Sequence, residues 1–98
     1  MFDKMKELME MKKQADRIKK ELDHIVIDVE EVSGIAIKIN GSQNFREITV
    51  SEEMLTPENK SRLEKDLLRS LNAAVKQSQK KAAQQMSSAM PKIPGMNF

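Results

Sequence analysis

Five basic residues recur at helical spacing in the last third of this chain, where they could neutralise phosphate groups. At about 100° per residue they fall within roughly 60° of one another. They are Arg62, Lys65, Arg69, Lys76 and Lys80, and Lys81 follows directly. No Asp or Glu comes after Asp66, and the apolar residues of the segment cluster on the opposite side. A helix with one apolar and one cationic stripe packs through the first and attracts anions through the second. The pattern therefore favours anion binding over a merely solubilising face.

A second basic stripe is expected near the N-terminus, where it is mixed with acids. The residues Lys6, Lys13, Arg17 and Lys20 again fall within roughly 60° at the helical period. Residues 1–23 hold seven basic and six acidic side chains, so a phosphate-binding stripe and a solvated face are both open here. Residues 24–56 hold two basic and six acidic side chains, and residues 57–98 hold eight and three. This distribution indicates that the middle folds while the helices present positive charge.

Reaction chemistry has few candidate residues in this chain. There is one His, no Cys, no Tyr and no glycine-rich phosphate loop, so neither a nucleophile nor a general base stands out. His24 follows a predicted helix end, where a structural or solvent-exposed role is the ordinary one. Five acids of the middle segment lack the spacing of a metal-binding loop; they are Asp28, Glu30, Glu31, Glu52 and Glu53. We therefore expect no enzyme, no metal, no cofactor and no small-molecule substrate.

Length and composition predict a single domain with a small core. The chain has 98 residues, of which 39% are hydrophobic, with only three Phe and no Trp. Short chains bury a limited share of their surface, so we expect a homodimer in which the apolar stripes of two copies cover each other. No apolar run approaches the roughly 20 residues of a membrane span, and no signal-peptide core is visible. The expected location is the cytoplasm.

The pattern of apolar residues predicts a helix, three strands and a second helix. Residues 2–23 carry a short heptad seam, and residues 25–31, 35–39 and 45–50 alternate as strands. Asn40-Gly41 supplies residues that accept positive φ in a turn. Phe45 falls on the wetter face of its strand by strict alternation, which indicates either a bulge or a face covered by a helix.

The second helix is predicted to begin at Thr56 and Pro57 and to end near residue 86. Thr56 would be the N-cap and Pro57 the first helical residue. Residues 87–98, with two Pro, a Gly and two Met among them, are predicted to be a loose, flexible tail. The fold class is thus α+β, a long helix, a three-stranded antiparallel meander and a long helix, with one domain over residues 1–86.

The order and spacing of several short segments resemble a known family. The segments are the Met- and Lys-rich first helix, Gly-Ile-Ala-Ile-Lys-Ile-Asn-Gly at 34–41, Arg-Glu-Ile-Thr-Val-Ser at 46–51 followed by Met54-Leu55, Asn-Ala-Ala at 72–74, and Pro-Gly-Met at 94–96. Together they are similar to the YbaB/EbfC family of bacterial nucleoid-associated proteins. The resemblance covers nearly the whole chain.

This resemblance implies a tweezer-like homodimer in which the sheets of two copies join and the long helices project as arms. It implies binding to double-stranded DNA, a role in nucleoid organisation and gene regulation, and a location in the nucleoid. Carried over to this sequence, the candidate phosphate contacts are Lys6, Lys13, Arg17, Lys20, Arg62, Lys65, Arg69, Lys76, Lys80 and Lys81.

Two other hypotheses fit parts of the pattern. A helical-arm chaperone or protein adaptor of prefoldin-like shape shares the helix–strands–helix order and would use the Met-rich helix ends to hold other proteins. An enzyme regulator or a small metal-dependent enzyme is the third, and the shortage of reactive residue types counts against it.

Overall fold

Two long helices and a three-stranded antiparallel sheet make up residues 2–89, the part of the chain that a computed structural model describes. The elements are α1 (Phe2–His24), β1 (Val26–Val32), β2 (Ile35–Asn40), β3 (Phe45–Val50), two short 3₁₀ turns (Glu52–Met54 and Pro57–Asn59) and α2 (Lys60–Ala89). The strand order is β1-β2-β3, so the predicted α+β meander is confirmed. The described part is elongated, 67 × 24 × 16 Å, because both helices extend beyond the small sheet.

The start of α2 differs from the sequence prediction. Thr56 has the extended conformation of a cap residue, but its side chain makes no capping hydrogen bond. Pro57 opens a 3₁₀ turn, in which the Asn59 amide donates to the Thr56 carbonyl at 3.0 Å, and the α-helix begins only at Lys60. Such tighter turns are frequent at helix ends. At its other end α2 reaches Ala89, beyond the predicted residue 86, and positions 90–98 of the predicted tail lie outside the described residues.

The sheet has one strongly apolar face, centred on β2. Ile35, Ile37 and Ile39 of β2 are fully buried, as strict alternation predicts. Their partners on β3 are Val50, Ile48 and Phe45, respectively. The register shifts beside Ile39, which places Phe45 opposite this buried residue. A bulge therefore returns Phe45 to the apolar face, and of the two explanations for its position the bulge is confirmed.

Helix α2 covers only part of this apolar face. It packs against β1 and β2, with Ala74 fully buried over the sheet. Around this centre lie partly buried residues of both layers, namely Ile27, Val29, Met54, Leu63, Leu67, Leu71 and Val75. The β3 side of the face is left more open, since Phe45 and Ile48 are 43% and 47% exposed.

Helix α1 is anchored only at its C-terminal half. Ile18 and Leu22 are buried, whereas every described side chain from residue 3 to residue 13 is exposed. The Glu21 carboxylate accepts a hydrogen bond from Gln85 of α2 at 3.1 Å, so α1 runs beside the second half of α2. Neither of these helices, over the residues that are described, is long and apolar enough to cross a membrane.

The turn after β2 contains a buried side chain that joins the elements. The Asn40 carboxamide oxygen accepts hydrogen bonds from the amides of Ser42 (3.0 Å) and Asn44 (2.9 Å), and its nitrogen donates to the Asp23 carbonyl (3.4 Å). The Ser78 hydroxyl of α2 donates to the Asn40 carbonyl at 2.7 Å. One residue therefore connects the end of α1, the β2–β3 turn and the middle of α2.

The expected positive φ does not fall on Asn40-Gly41. Among the described residues the positive values are at Gln43 (67°) and Gly34 (95°). Gly41 has another reason to be glycine, because a Cβ there would lie 2.9 Å from the Leu22 carbonyl oxygen. The Gly41 amide donates to this same oxygen at 2.9 Å, so the end of α1 rests directly on the turn. The turn prediction was right and its conformational reason was wrong.

Substituting Asn40→Ala should lower the free energy of unfolding by about 2–3 kcal/mol, because two turn amides lose their acceptor in a part-buried site. Urea denaturation at a fixed protein concentration measures this change. Asn44→Ala is the matched control, since the exposed Asn44 side chain makes no hydrogen bond among the described residues. The control should stay within about 0.5 kcal/mol of the parent. Equal losses in the two variants would contradict the role assigned to Asn40.

Candidate nucleic-acid interface

All ten basic residues that the sequence singles out have exposed side chains on the two long helices. Four lie on α1 and six on α2, and their residue identities are those given above. Exposure is the first requirement of a phosphate contact, because a cation must reach the ligand while its stem stays on the helix. The structure divides the six residues of α2 into two groups with different neighbours.

The first group, here called the proximal cluster, consists of Arg62, Lys65 and Arg69 on the half of α2 that covers the sheet. Arg62 lies 3.8 Å from the Asp66 carboxylate, one helical turn away. Arg69 lies 3.4 Å from the Glu31 carboxylate of β1. Both arginines of the proximal cluster are thus already next to a negative charge.

The second group, here called the distal cluster, consists of Lys76, Lys80 and Lys81. Within the described residues none of these three lysines is in ion-pair distance of a carboxylate. Lys76 and Lys80 continue the stripe of the proximal cluster. Lys81 lies about 100° around the helix from Lys80. Both lysines line a shallow pocket of about 230 Å³ beside Ile27 of β1.

The stripe on α1 is not brought next to the stripe on α2. Helix α1 buries Ile18 and Leu22, whereas Lys13 and Lys20 lie roughly on the opposite side at the helical period. On α2 the sheet-facing and α1-facing side contains Ser78, and the basic stripe lies away from it. The two stripes of the chain therefore face outward in different directions.

The three strands carry a net negative charge, with four acidic and two basic residues. Its outer face, away from α2, includes Asp28, Glu30 and a Lys38–Glu47 ion pair of 3.8 Å. Among the described residues no three His, Asp or Glu side chains come close enough to form a metal site. The candidate interface thus consists of exposed cations on the two long helices.

Sequence reasoning missed the contact between Glu31 and Arg69. These residues are 38 positions apart, so no local spacing signals their pairing. The Arg62–Asp66 pair has the i,i+4 spacing of helical ion pairs, so that contact could have been predicted from the sequence.

The fold and the exposed charges define a small α+β protein with basic helical arms. The chain belongs to the YbaB/EbfC DNA-binding family, whose family model matches residues 1–93.

Two bacterial proteins of similar length are relatives of this chain. One, an uncharacterized protein from Mycoplasma pneumoniae, is 31% identical, and the match covers 93% of this chain and 96% of the relative. The other is named a nucleoid-associated protein, from Ureaplasma urealyticum serovar 10, and is 30% identical with 96% of both chains covered.

A solved structure shares the fold. The crystal structure of an uncharacterized protein from Helicobacter pylori superposes with a TM-score of 0.69, covering 85% of this chain and 98% of that chain. The two sequences are 15% identical, so this similarity concerns the architecture alone.

Proposed function

We propose that this chain binds double-stranded DNA in the bacterial nucleoid, as a homodimer and without enzymatic activity. The observation that carries the proposal is the distal cluster on α2. Lys76 and Lys80 are exposed, lie on one side of the helix and have no carboxylate neighbour among the described residues. Membership of a DNA-binding family identifies the anion as nucleic acid.

Phosphate contacts are the mechanism that these residue types support. A lysine that neutralises a phosphate releases a condensed counterion, which gives affinity that falls with salt and does not depend on base sequence. The chain has no Trp or Tyr, and none of its three Phe lies on α2, so a platform for stacking unpaired bases is missing from this helix. Duplex DNA is therefore the favoured form.

A second copy of the chain is the proposed cover of the open apolar surface. Phe45 and Ile48 on β3 leave part of the sheet face exposed, and Leu68 is 62% exposed on the flank of α2 that is turned away from β1. Met86 lies on the same flank about five helical turns later and is 46% exposed. The two surfaces are contiguous with the small core, and burying them between two copies would enlarge it.

Dimerisation would also matter for the DNA contact. The α1 and α2 stripes of one protomer face in different directions, so a single helix pair presents only one of them to a duplex. Two copies joined through their sheets would place arms on both sides of a shared space, which is the tweezer-like arrangement. The ten basic residues named above are the proposed contacts.

A role in nucleoid organisation follows from binding without base choice. The relative from Ureaplasma urealyticum is named a nucleoid-associated protein, which supports the same location for this chain. A protein that occupies duplex DNA broadly would also affect the genes that it covers, and we propose gene regulation as a consequence of that occupancy.

One observation favours the adaptor hypothesis as a second candidate. The free half of α1 exposes Met5, Leu8, Met9 and Met11 by 62–65%, and methionines of this kind adapt to varied apolar partners. An adaptor of prefoldin-like shape would suppress the aggregation of an unfolded client at stoichiometric amounts and would have no affinity for duplex DNA. The DNA titrations below separate the two candidates.

Replacing Lys76 and Lys80 together by Gln should weaken binding to a random-sequence duplex and flatten its salt dependence. Each lost phosphate contact lowers the slope of log K against log salt by about 0.9. Fluorescence anisotropy at several salt concentrations measures both quantities.

The matched control replaces Lys38 and Lys60, which changes the net charge equally. Lys38 lies on the outer sheet face beside Glu47, and Lys60 pairs with Glu64 at the start of α2. The control should keep the parental slope. A parental slope in the Lys76 and Lys80 variant would contradict their assignment as phosphate contacts.

Substituting Ile48→Lys should convert the dimer to a monomer, because it places a charge on the apolar face that the second copy is proposed to cover. Sedimentation equilibrium should then report a mass of 11.2 kDa instead of twice this value. Thr49→Lys is the control on the outer face of the same strand and should leave the dimer intact. A monomeric parent at micromolar concentration would refute the homodimer.

A further inference from the structure

The two arginines of the proximal cluster face a groove in which carboxylates from several elements meet them. The groove measures about 490 Å³ and lies between the β1–β2 turn, the first 3₁₀ turn and the start of α2. Its charged lining consists of Glu31, Glu53, Arg62, Asp66 and Arg69. Phosphate would therefore meet three carboxylates when it approaches these two arginines.

Glu31 lies on the same face of β1 as Ile27 and Val29, the apolar face that α2 covers. Val29 pairs with Ile37 and Val32 with Ile35, so β1 contains one extra residue between them. Because of this shift, Val32 also returns to the apolar face. The Glu31 carboxylate beside it lies 3.4 Å from the Arg69 guanidinium. Glu30, by contrast, lines the outer face of the sheet together with Asp28 and Lys38.

The Arg69–Glu31 pair is exposed enough to open and close. Both side chains are in contact with solvent, with 67% and 43% of their area exposed. Exposed pairs of this kind are weak, so a phosphate can take the place of the carboxylate. This exchange breaks the contact between Arg69 and Glu31 for each contact that it forms between Arg69 and phosphate. The released Glu31 carboxylate stays beside the bound phosphate and repels it.

We infer that Glu31 competes with DNA phosphate for Arg69 and so confines the strong phosphate contacts of α2 to the distal cluster. This inference rests on the proposed DNA binding and adds a residue that limits affinity. Asp66 acts on Arg62 in the same way, although this pair lies within one helix, a single turn apart, and its distance of 3.8 Å is longer. Lys76 and Lys80 have no such competitor among the described residues and contact phosphate freely.

The variant Glu31→Gln tests the inference, with Glu30→Gln as its control. Both remove one negative charge from the same strand, but only the first frees Arg69. Glu31→Gln should bind a random-sequence duplex about two- to fivefold more tightly than Glu30→Gln, which is the range of a weak exposed ion pair. Its log–log salt slope should also be steeper by about 0.9, the value of one added phosphate contact.

A double-mutant cycle separates competition from a structural role. In the Arg69→Gln background, Glu31→Gln should raise the affinity for DNA no more than Glu30→Gln does in that same background. The reason is that Glu31 then has no arginine for which to compete. Urea denaturation of each variant confirms that the compared proteins are equally folded.

The outcomes distinguish the inference from the proposed function. If the parent and both single variants bind DNA and Glu31→Gln matches Glu30→Gln in affinity and slope, Glu31 is not a competitor and only the inference fails. If none of the three proteins binds duplex DNA at low salt, the proposed function fails and the inference fails with it.

Discussion

The hydrogen bonds of Asn40 are the constraint on which the arrangement of the other elements depends. This residue is 1% exposed, and both its backbone and its side chain form hydrogen bonds. Its backbone amide donates to the Asn44 carbonyl at 2.9 Å, in addition to the contacts with Ser42, Asp23 and Ser78. A buried amide group stabilises a fold only when its partners are in place, because an unsatisfied one costs more than the bond contributes. The end of α1, the β2–β3 turn and the middle of α2 must therefore form together.

This junction also separates the charges of the molecule. Before it, the first half of α2 lies over a sheet that is rich in acids; beyond it, α2 runs beside α1. Lys76 lies two residues before the junction at Ser78, and Lys80 and Lys81 lie just after it. None of these three lysines is in ion-pair distance of a carboxylate within the described residues. Under the proposed function, the outer sheet face would repel a DNA duplex and the basic stripes of the helices would attract it. The arginines with carboxylate neighbours thus lie well before the junction, and the lysines without them lie around it.

Local patterns predicted most of the fold, and contacts between distant residues account for what they missed. The alternation of Ile35, Ile37 and Ile39 was enough to identify the central strand and its buried face. The sequence left two explanations for Phe45, a bulge or a face covered by a helix. Only the pairing of Phe45 with Ile39 shows which face of the sheet Phe45 is on. The sequence assigned Gly41 to a positive φ, which was wrong. The residue is glycine because the end of α1 approaches it closely, and no local pattern reveals this contact.

In the candidate site, too, local patterns predicted some features and contacts between distant residues account for the rest. Helical spacing correctly predicted exposed basic residues on both helices, and their contact with DNA stays a prediction. It did not predict that Arg69 is held by Glu31, because β1 and α2 meet only in the folded chain. Nor could it show that the two basic stripes face away from each other, since this depends on how α1 packs against α2.

The most direct test of the central claim is a titration of the purified protein into a labelled duplex of random sequence, followed by fluorescence anisotropy from low to moderate salt. Phosphate-contacting arms predict binding at low salt and a linear fall of log K with log salt, with a slope of about −0.9 for each contact. Protein that is folded by circular dichroism and dimeric by sedimentation, yet does not bind at low salt, would contradict the account. The basic stripes would then be solubilising faces of the two helices.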